Sequence, residues 1–229
     1  MKIELQAVEK YYNRGEPNQV HALRAIDLSI ASNETICIHG PSGSGKSTLL
    51  AILGGIIGPT SGSAVVDGRK LARLPDRFLT LYRRQHIGFI FQRFRLIPEL
   101  SVLENVTLPL LPLGTRPAER KRRGLELLKR LEIDHRGDFL AAEISGGELQ
   151  RAAVARALIS DPSIIIADEP TAHLDTRLSE DFLSIMAELK KLGKTIIIAS
   201  HDPLVSENPI VDRCFYLRDG RLKAVTGPQ

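Results

Sequence analysis

The distribution of apolar and polar residues along the chain predicts an α/β protein. Short apolar runs typical of buried strands alternate with stretches in which apolar residues recur every three or four positions, as on one face of a helix. The predicted strands are residues 3–8, 23–30, 35–39, 63–66, 87–91, 164–167 and 195–199. The predicted helices are one that contains residues 49–53, and then residues 119–131, 148–160 and 178–192.

The order of these elements predicts a parallel sheet with helices on both faces. Ligands of such sheets bind beyond the carboxyl ends of the strands. We expect one domain, in which residues 1–92 and 161–229 form a core and residues 93–160, with their helical spacing and scattered prolines, form a helical subdomain. The first 91 residues are expected to contain strands, turns and a single helix.

Composition places the chain among ordinary globular proteins. It has 229 residues, 43% of them hydrophobic, and a formal net charge of +4. This charge permits contact with an anionic membrane surface or nucleic acid, but dispersed charge of this size is common in soluble enzymes. Apolar runs are only of strand length, so we expect neither a secretion signal nor a membrane span. Cys37 and Cys214 each lie within an apolar run, which predicts two buried, reduced thiols and favours a reducing compartment.

A glycine-rich segment follows the strand predicted at residues 35–39. Residues 40–47 match G-x-x-x-x-G-K-[ST], and an apolar helical stretch follows them. The backbone N–H groups of such a loop form an anion nest at a helix N-terminus, suited to a triphosphate. We expect Lys46 to neutralise phosphate oxygens and Ser47 to bind Mg²⁺. The pattern arises by chance in on the order of one per cent of chains this long, which argues against a flexible loop without function.

Two carboxylates end the apolar strand at residues 164–167. On their own, Asp168 and Glu169 could be a solvated strand end. Beside a phosphate loop, however, a carboxylate there completes the Mg²⁺ shell and a second one orients or deprotonates the attacking water. We therefore assign Asp168 to the metal and Glu169 to the water.

A pair of glycines begins the helix predicted at residues 148–160. Ser145 as N-cap and Glu148 three residues later form a capping box, which explains the segment as a simple helix start. Gly146 and Gly147 exceed what a cap requires, and they would let a phosphate approach a second helix N-terminus. A second phosphate contact is useful if it acts on the nucleotide of another copy.

The order of these motifs resembles the nucleotide-binding subunit of ATP-binding cassette (ABC) transporters over essentially the whole chain. The segments 59–62, 87–92 and 103–110 look most like the group that contains LolD, MacB and FtsE. The fold implied by the resemblance is a P-loop NTPase (RecA-like) core with an antiparallel β subdomain and a helical signature subdomain. The implied activity is ATP hydrolysis, with ATP and Mg²⁺ as ligands.

The resemblance implies that two copies enclose two ATP molecules head to tail, so that both copies contribute to each site. The implied ATP-binding residues of one copy are Tyr12, Gly40, Pro41, Ser42, Gly43, Ser44, Gly45, Lys46, Ser47 and Thr48. The residues implied to contact ATP on the other copy are Ser145, Gly146, Gly147, Glu148 and Asp175. The implied metal residues are Ser47, Gln92 and Asp168, and the implied catalytic residues are Lys46, Gln92, Glu169 and His201.

The family pattern also implies how some of these residues act. Gln92 would contact Mg²⁺ or the attacking water and relay that contact to the helical subdomain, His201 would hold the γ-phosphate, and Asp175 would couple the two sites. Tyr12 matches the aromatic residue that stacks on adenine, although Tyr11 is a competing assignment and either ring could simply pack in the core.

Each of two surface segments has two possible interpretations. Residues 94–100 could form a small core beneath the helical subdomain or, as in the family, part of the groove that receives the membrane subunit. The basic run from residue 120 to 130 predicts a solvated helix face, with membrane-surface contact as the alternative.

The chain departs from the family pattern at His39, at Ile144 and at Ala172 with His173. None of these departures removes a catalytic group.

These observations predict an ATPase subunit that dimerises on Mg-ATP and drives a separate integral membrane permease from the cytoplasmic face of the membrane. A lipoprotein, lipid, peptide or drug-like substrate would be exported or extracted. An FtsE-like regulator of cell-wall remodelling, acting through a membrane partner without transport, is an alternative within the same chemistry. A soluble cassette ATPase acting on nucleic acid is a further alternative, but the coiled-coil insertions or second cassette of those proteins are missing, so we expect no nucleic-acid partner.

Overall fold

Two β-sheets and seven α-helices organise the part of the chain described by the structure. The structure is a computed structural model, and it describes residues 2–71, 75–172 and 174–225. The strands are β1 (Ile3–Tyr12), β2 (Val20–Ile30), β3 (Thr35–His39), β4 (Ser61–Val66), β5 (Arg69–Lys70), β6 (Ile87–Ile90), β7 (Ile164–Asp168), β8 (Thr195–Ala199), β9 (Arg213–Arg218) and β10 (Arg221–Val225). The helices are α1 (Lys46–Leu53), α2 (Asp76–His86), α3 (Val102–Thr107), α4 (Pro117–Arg130), α5 (Gly146–Leu158), α6 (Thr176–Lys191) and α7 (Pro203–Ser206).

The larger sheet has six strands in the order β10-β9-β3-β8-β7-β6. All neighbouring pairs are parallel except β9 and β10, which form an antiparallel hairpin. Alternate residues of its strands enter two separate cores: Ile36 and Ile38 face one, whereas Cys37 faces the other. Because both faces are covered, every residue of β8 is buried. The predicted α/β class is confirmed.

The smaller sheet is antiparallel, with the strand order β2-β1-β4-β5. It packs its apolar face on α1 and on one face of the larger sheet. Irregularities interrupt the pairing of β1 with β2, and Ala7 and Ala25 have left-handed φ angles of 47° and 48° there. Such bulges increase the local twist, which allows a strand pair to wrap around a core.

The second core lies under the helices on the opposite face of the larger sheet. It joins residues of α3, α4, α5 and α6 to the sheet. Capping boxes begin α3 at Ser101 and α5 at Ser145, so the hydroxyl and the glutamate three residues later satisfy free N–H groups at each helix start. Short 3₁₀ turns at Leu108–Leu113, Asp134–Arg136 and Ala141–Glu143 connect these helices.

Two features of the fold correct the expectations from sequence. The prediction of a single helix within residues 1–91 is wrong, because α2 follows α1 in that segment. Only Tyr82 of α2 is buried, so this mostly polar helix has a weak apolar signal. The strands β9 and β10 were also not predicted, although the pair Asp219 and Gly220 between them is a typical hairpin turn.

The topology brings the carboxyl ends of four parallel strands to one edge of the larger sheet. Gly40 follows β3, Gln92 comes shortly after β6, Glu169 follows β7 and His201 comes two residues after β8. The fold therefore places these four residues at the edge where a parallel sheet binds its ligands.

Candidate functional site

The loop between β3 and α1 has a backbone that two of its glycines make possible. A Cβ atom on Gly40, whose φ is 153°, would lie 2.0 Å from the carbonyl oxygen of Leu217. A Cβ atom on Gly45, whose φ is 107°, would lie 2.6 Å from the carbonyl oxygen of Ala22. Any side chain at either position would displace neighbouring backbone. The loop thus passes tightly between β2 and β9, and it leads directly into the N-terminus of α1.

Lys46 begins α1, and its ammonium group turns back into the loop. Its Nζ atom donates hydrogen bonds to the carbonyl oxygens of Gly40 (2.8 Å) and Pro41 (3.2 Å). It also lies 3.1 Å from Oε1 of Glu169, and the side chains of Lys46 and Glu169 are only 8% and 12% exposed. The cation is therefore held by groups that a phosphate would replace.

Two of the three residues assigned to Mg²⁺, Ser47 and Asp168, meet at the end of β7, whereas Gln92 lines the cleft nearby. Asp168 Oδ1 is buried and has no hydrogen-bond partner among the described residues. Burial raises the pKa of Asp168, and the hydrogen bond from the Ser47 hydroxyl opposes that rise. An orphaned buried carboxylate oxygen beside a serine hydroxyl fits Mg²⁺, which takes a few oxygen ligands from the protein and the rest from phosphate and water. Bound metal would supply a positive charge to the phosphates here.

Glu169 links the loop lysine to the histidine that follows β8. Its Oε2 atom lies 2.8 Å from Nδ1 of His201 and 3.3 Å from the backbone nitrogen of the same residue. The backbone of Glu169 has a left-handed φ of 47°, and its N–H donates to the carbonyl oxygen of Ala199. This unusual conformation, stabilised by the hydrogen bond to the neighbouring strand, turns the carboxylate towards Lys46. One carboxylate thus bridges two cationic or protonatable groups at the mouth of the site.

Tyr12 and Tyr11 point to different surroundings. Tyr12 lines the cleft above the loop, with its hydroxyl 3.5 Å from Oγ1 of Thr48 and its side chain 40% exposed. Tyr11 instead stacks on the ring of His21 at a centroid distance of 3.9 Å. Because only the Tyr12 ring lines the cleft, Tyr12 is the better placed of the two to meet a nucleotide base.

A cleft of about 700 Å³ unites most of the residues predicted from sequence. The predicted residues that line it are Tyr12, Pro41, Ser42, Gly43, Ser44, Gly45, Lys46, Ser47, Thr48, Gln92, Glu169 and His201. The opposite wall of the cleft was not predicted from the sequence, and it includes Val20, Arg24 and the β9–β10 turn at Asp219 and Gly220. The Gly220 N–H donates to the Ser44 carbonyl, so this turn braces the loop. Only the folded topology reveals that proximity.

The other predicted group of residues lies away from this cleft. None of Ser145, Gly146, Gly147, Glu148 and Asp175 is among its lining residues. Ser145 and Gly146 are exposed, and a Cβ atom on Gly146 would have no neighbour within 4 Å. Asp175 is also exposed and caps α6 through a 2.8 Å hydrogen bond from the Leu178 N–H. The chain thus presents a second, separate surface made of two helix N-termini.

Three of the four residues that depart from the family pattern lie in described parts of the chain. Ile144 is buried in the second core, and Ala172 is exposed. His39 is half-buried, and its ring lies 5.0 Å from that of Tyr216. Burial and the nearby Lys46 charge lower the pKa of His39, so its imidazole is neutral at pH 7. His173 lies outside the described residues. Of the two thiols predicted to be buried, that of Cys37 is buried, whereas that of Cys214 on the neighbouring strand is only half-buried.

Comparisons with known proteins agree on one family. The ABC transporter family model matches residues 23–172. An ABC transporter ATP-binding protein of Thermotoga maritima is 42% identical over 97% of this chain and 94% of its own length. The macrolide export ATP-binding/permease protein MacB 1 of Aeromonas hydrophila is 41% identical over 97% of this chain, which spans only 34% of that protein.

A solved structure matches the fold of nearly the whole chain. It is the dimeric structure of a post-hydrolysis state of the ATP-binding cassette MJ0796, bound to ADP and Pi. The TM-score is 0.89 and the sequence identity is 40%, with 98% of this chain and 99% of that chain covered. The fold predicted from sequence, a P-loop ATPase core with an antiparallel β subdomain and a helical subdomain, is confirmed by this likeness.

Proposed function

Because this chain belongs to the ABC transporter family and is an ATPase cassette, we propose that it closes as a homodimer around two Mg-ATP molecules and thereby drives a separate membrane permease. One observation carries the proposal: Ser145 and Gly146 are exposed and lie outside the cleft that contains the phosphate loop. A helix N-terminus can bind phosphate, but this one does not line the cleft of its own chain. It is therefore suited to contact the nucleotide that a second copy binds.

Within one copy, the cleft binds ATP through the backbone of the glycine loop and two side chains, those of Lys46 and Tyr12. The Lys46 ammonium group leaves Glu169 and the carbonyl oxygens of the loop and binds β- and γ-phosphate oxygens instead. The Tyr12 ring stacks on the adenine. Ser47, Asp168 and Gln92 would hold Mg²⁺, whose charge offsets that of the phosphates. The buried Asp168 oxygen without a partner supports this assignment.

Hydrolysis requires a group that accepts a proton from the attacking water. Glu169 is released from Lys46 when phosphate binds and then acts as the general base, while His201 holds the γ-phosphate. Ser145, Gly146, Gly147 and Glu148 of the partner copy complete the site, and Asp175 couples it to the second site. Ser145, Gly146 and Asp175 are exposed on each copy, which supports a site formed by residues of both copies.

The segment after Gln92 is suited to contact the permease. Ile97 is 39% exposed and Pro98 is also exposed, beside the exposed cations Arg93 and Arg95. Arg156 of α5 donates to the carbonyl oxygens of Phe94 (2.6 Å) and Arg95, which ties the segment to the helix that begins at Ser145. We assign residues 93–160 to a helical signature subdomain that carries this contact.

The relatives support an export role. MacB 1 of Aeromonas hydrophila is named a macrolide export ATP-binding/permease protein, and this chain matches about a third of its length. In the described residues, no helix has the length and apolarity needed to cross a bilayer. Because the ATP-binding protein of Thermotoga maritima is matched over 94% of its own length, we assign the permease to another chain. We also place this subunit on the cytoplasmic face of the membrane and expect a lipoprotein, lipid, peptide or drug-like substrate.

The test uses a variant that binds ATP without cleaving it. Glu169→Gln should lower the ATPase rate by about 10²–10⁴-fold, the contribution of a general base, and should accumulate an ATP-dependent dimer on size-exclusion chromatography. Lys46→Ala in the same background should stay monomeric, since it cannot hold the phosphates. An unchanged ATPase rate, or a Glu169→Gln protein that stays monomeric in saturating ATP, would overturn the proposal. Purification from membranes should also co-elute the permease.

A further inference from the structure

The glutamate at the start of α5 is held from two sides. Its Oε2 atom accepts hydrogen bonds from the backbone N–H (2.8 Å) and the hydroxyl (2.7 Å) of Ser145. Its Oε1 atom accepts a 2.7 Å hydrogen bond from Nε of Arg136. The capping box alone explains the first set of contacts. It does not require the arginine.

Arg136 is itself anchored. It ends the 3₁₀ turn Asp134–Arg136 between α4 and α5, and its guanidinium lies 4.8 Å from the centre of the Phe139 ring. The backbone that follows is tied to the start of α3, because the Leu103 N–H donates to the Gly137 carbonyl and the Val102 N–H donates to the Phe139 carbonyl. The guanidinium therefore has a defined position beside the helix tip.

The charge of Glu148 presents a difficulty for the proposed shared site. Hydrogen bonds from the Ser145 backbone and from Arg136 lower the pKa of Glu148 to about 2, so the carboxylate is ionised at physiological pH. The Ser145 hydroxyl has one hydrogen, and it donates that hydrogen to Glu148. A γ-phosphate arriving from the partner copy must take over this hydrogen while it approaches a carboxylate of like charge.

We propose that Arg136 is a positioning residue for the shared ATP site, an inference that rests on the function proposed above. Arg136 does not contact ATP. The Arg136 cation offsets the negative charge of Glu148 and weakens the carboxylate as an acceptor for the Ser145 hydroxyl. The hydroxyl can therefore transfer its hydrogen bond from Glu148 to the γ-phosphate. His135 cannot substitute fully, since its exposed ring lies 3.6 Å from the same oxygen and carries charge only when protonated.

The experiment measures the ATP concentration that gives half-maximal dimer of the Glu169→Gln protein. Adding Arg136→Ala should raise that concentration roughly fivefold to tenfold. The variant loses one charge-assisted hydrogen bond, and the negative charge of Glu148 then repels the γ-phosphate. Arg136→Lys should recover most of the affinity. The matched control is Arg122→Ala, because Arg122 forms its ion pairs with Glu119 and Glu126 on its own helix, α4. It should leave the dimer midpoint unchanged.

A second change separates charge compensation from a structural role. In a background with Glu148→Gln, the further change Arg136→Ala should shift the midpoint by less than about twofold, because no charge remains to be offset. A merely structural arginine would matter equally in both backgrounds. In the otherwise wild-type enzyme, Arg136→Ala should raise KM more than it lowers kcat and leave the Kd for ADP of single subunits unchanged.

Each outcome has a defined meaning. A midpoint unchanged by Arg136→Ala, or the same shift with and without Glu148→Gln, would overturn the role of Arg136 while leaving the shared site intact. If the parent Glu169→Gln protein does not dimerise at all, the shared site fails and the inference fails with it. Should Arg136→Ala not fold, as judged by its ADP affinity, Arg136→Gln is the neutral replacement that keeps the side-chain length.

Discussion

The ion pair between Lys46 and Glu169 should oppose nucleotide binding, and Glu169→Gln should relieve that opposition. The two groups are 3.1 Å apart and nearly buried, so little water screens their attraction. A diphosphate that binds Lys46 must first displace Glu169. The glutamine variant keeps the shape of the side chain but removes the charge that holds the lysine.

The expected gain follows from the contacts that remain. A hydrogen bond between charged groups contributes about 1.5–3 kcal/mol. We use the lower of these values, because both groups have other partners. Lys46 also donates to the carbonyl oxygens of Gly40 and Pro41, and Glu169 also contacts His201. A change of about 1.4 kcal/mol corresponds to a roughly tenfold lower Kd. Loss of the negative charge near the phosphates acts in the same direction.

Isothermal titration calorimetry with Mg-ADP measures this effect on single subunits, since ADP lacks the γ-phosphate that would bring two copies together. The matched control is Glu188→Gln, an exposed glutamate of α6 outside the cleft, which should leave the Kd unchanged. If Glu169→Gln binds ADP as weakly as the wild type, or more weakly, the ion pair does not restrain Lys46 and the reasoning is refuted.

Three further predictions concern other parts of the site. Gly40→Ala should abolish ATP binding and lower Tm by several degrees, since its Cβ would lie 2.0 Å from the Leu217 carbonyl oxygen; retained ATP affinity would contradict this. Tyr12→Leu should weaken ATP binding by about 1–2 kcal/mol of lost stacking, whereas Tyr11→Leu should not, as fluorescent-nucleotide titration can measure. Because the folded pKa of Glu148 is lowered from 4.5 to about 2, its stabilisation is complete above pH 4.5 and lost as the pH falls towards 2; thermal melts of Glu148→Gln should converge with wild type over that range, and a constant difference would refute it.

The sequence predicted the strand ends that carry the site because each buried strand is a continuous apolar run with a polar residue after it. Thr35–His39 and Thr195–Ala199 were predicted with the bounds that the structure has. Buried parallel strands leave little ambiguity, since both faces must be apolar. The residues that follow them fall at one edge of the sheet because the strands run parallel.

Other features depend on contacts that no local pattern encodes. The bulges at Ala7 and Ala25 arise where β1 and β2 wrap the core, and alanine gives no signal for a left-handed backbone. The brace between Gly220 and Ser44 joins residues 176 positions apart (220 − 44). The contact of Arg136 with Glu148 likewise depends on how the turn after α4 packs against α5. Sequence patterns locate elements, whereas these contacts require the assembled fold.

If each ATP is cleaved between two copies, as proposed, a mixture of two inactive variants should regain activity. Lys46→Ala lacks the phosphate-binding lysine, and Ser145→Arg blocks the helix tip, so each homodimer has two defective sites. A one-to-one mixture forms heterodimers in which one loop and one helix tip remain intact. If the sites act independently, the ATPase rate should recover to about a quarter of the wild-type value. A mixture no more active than its two components would show that cleavage does not take place between two copies.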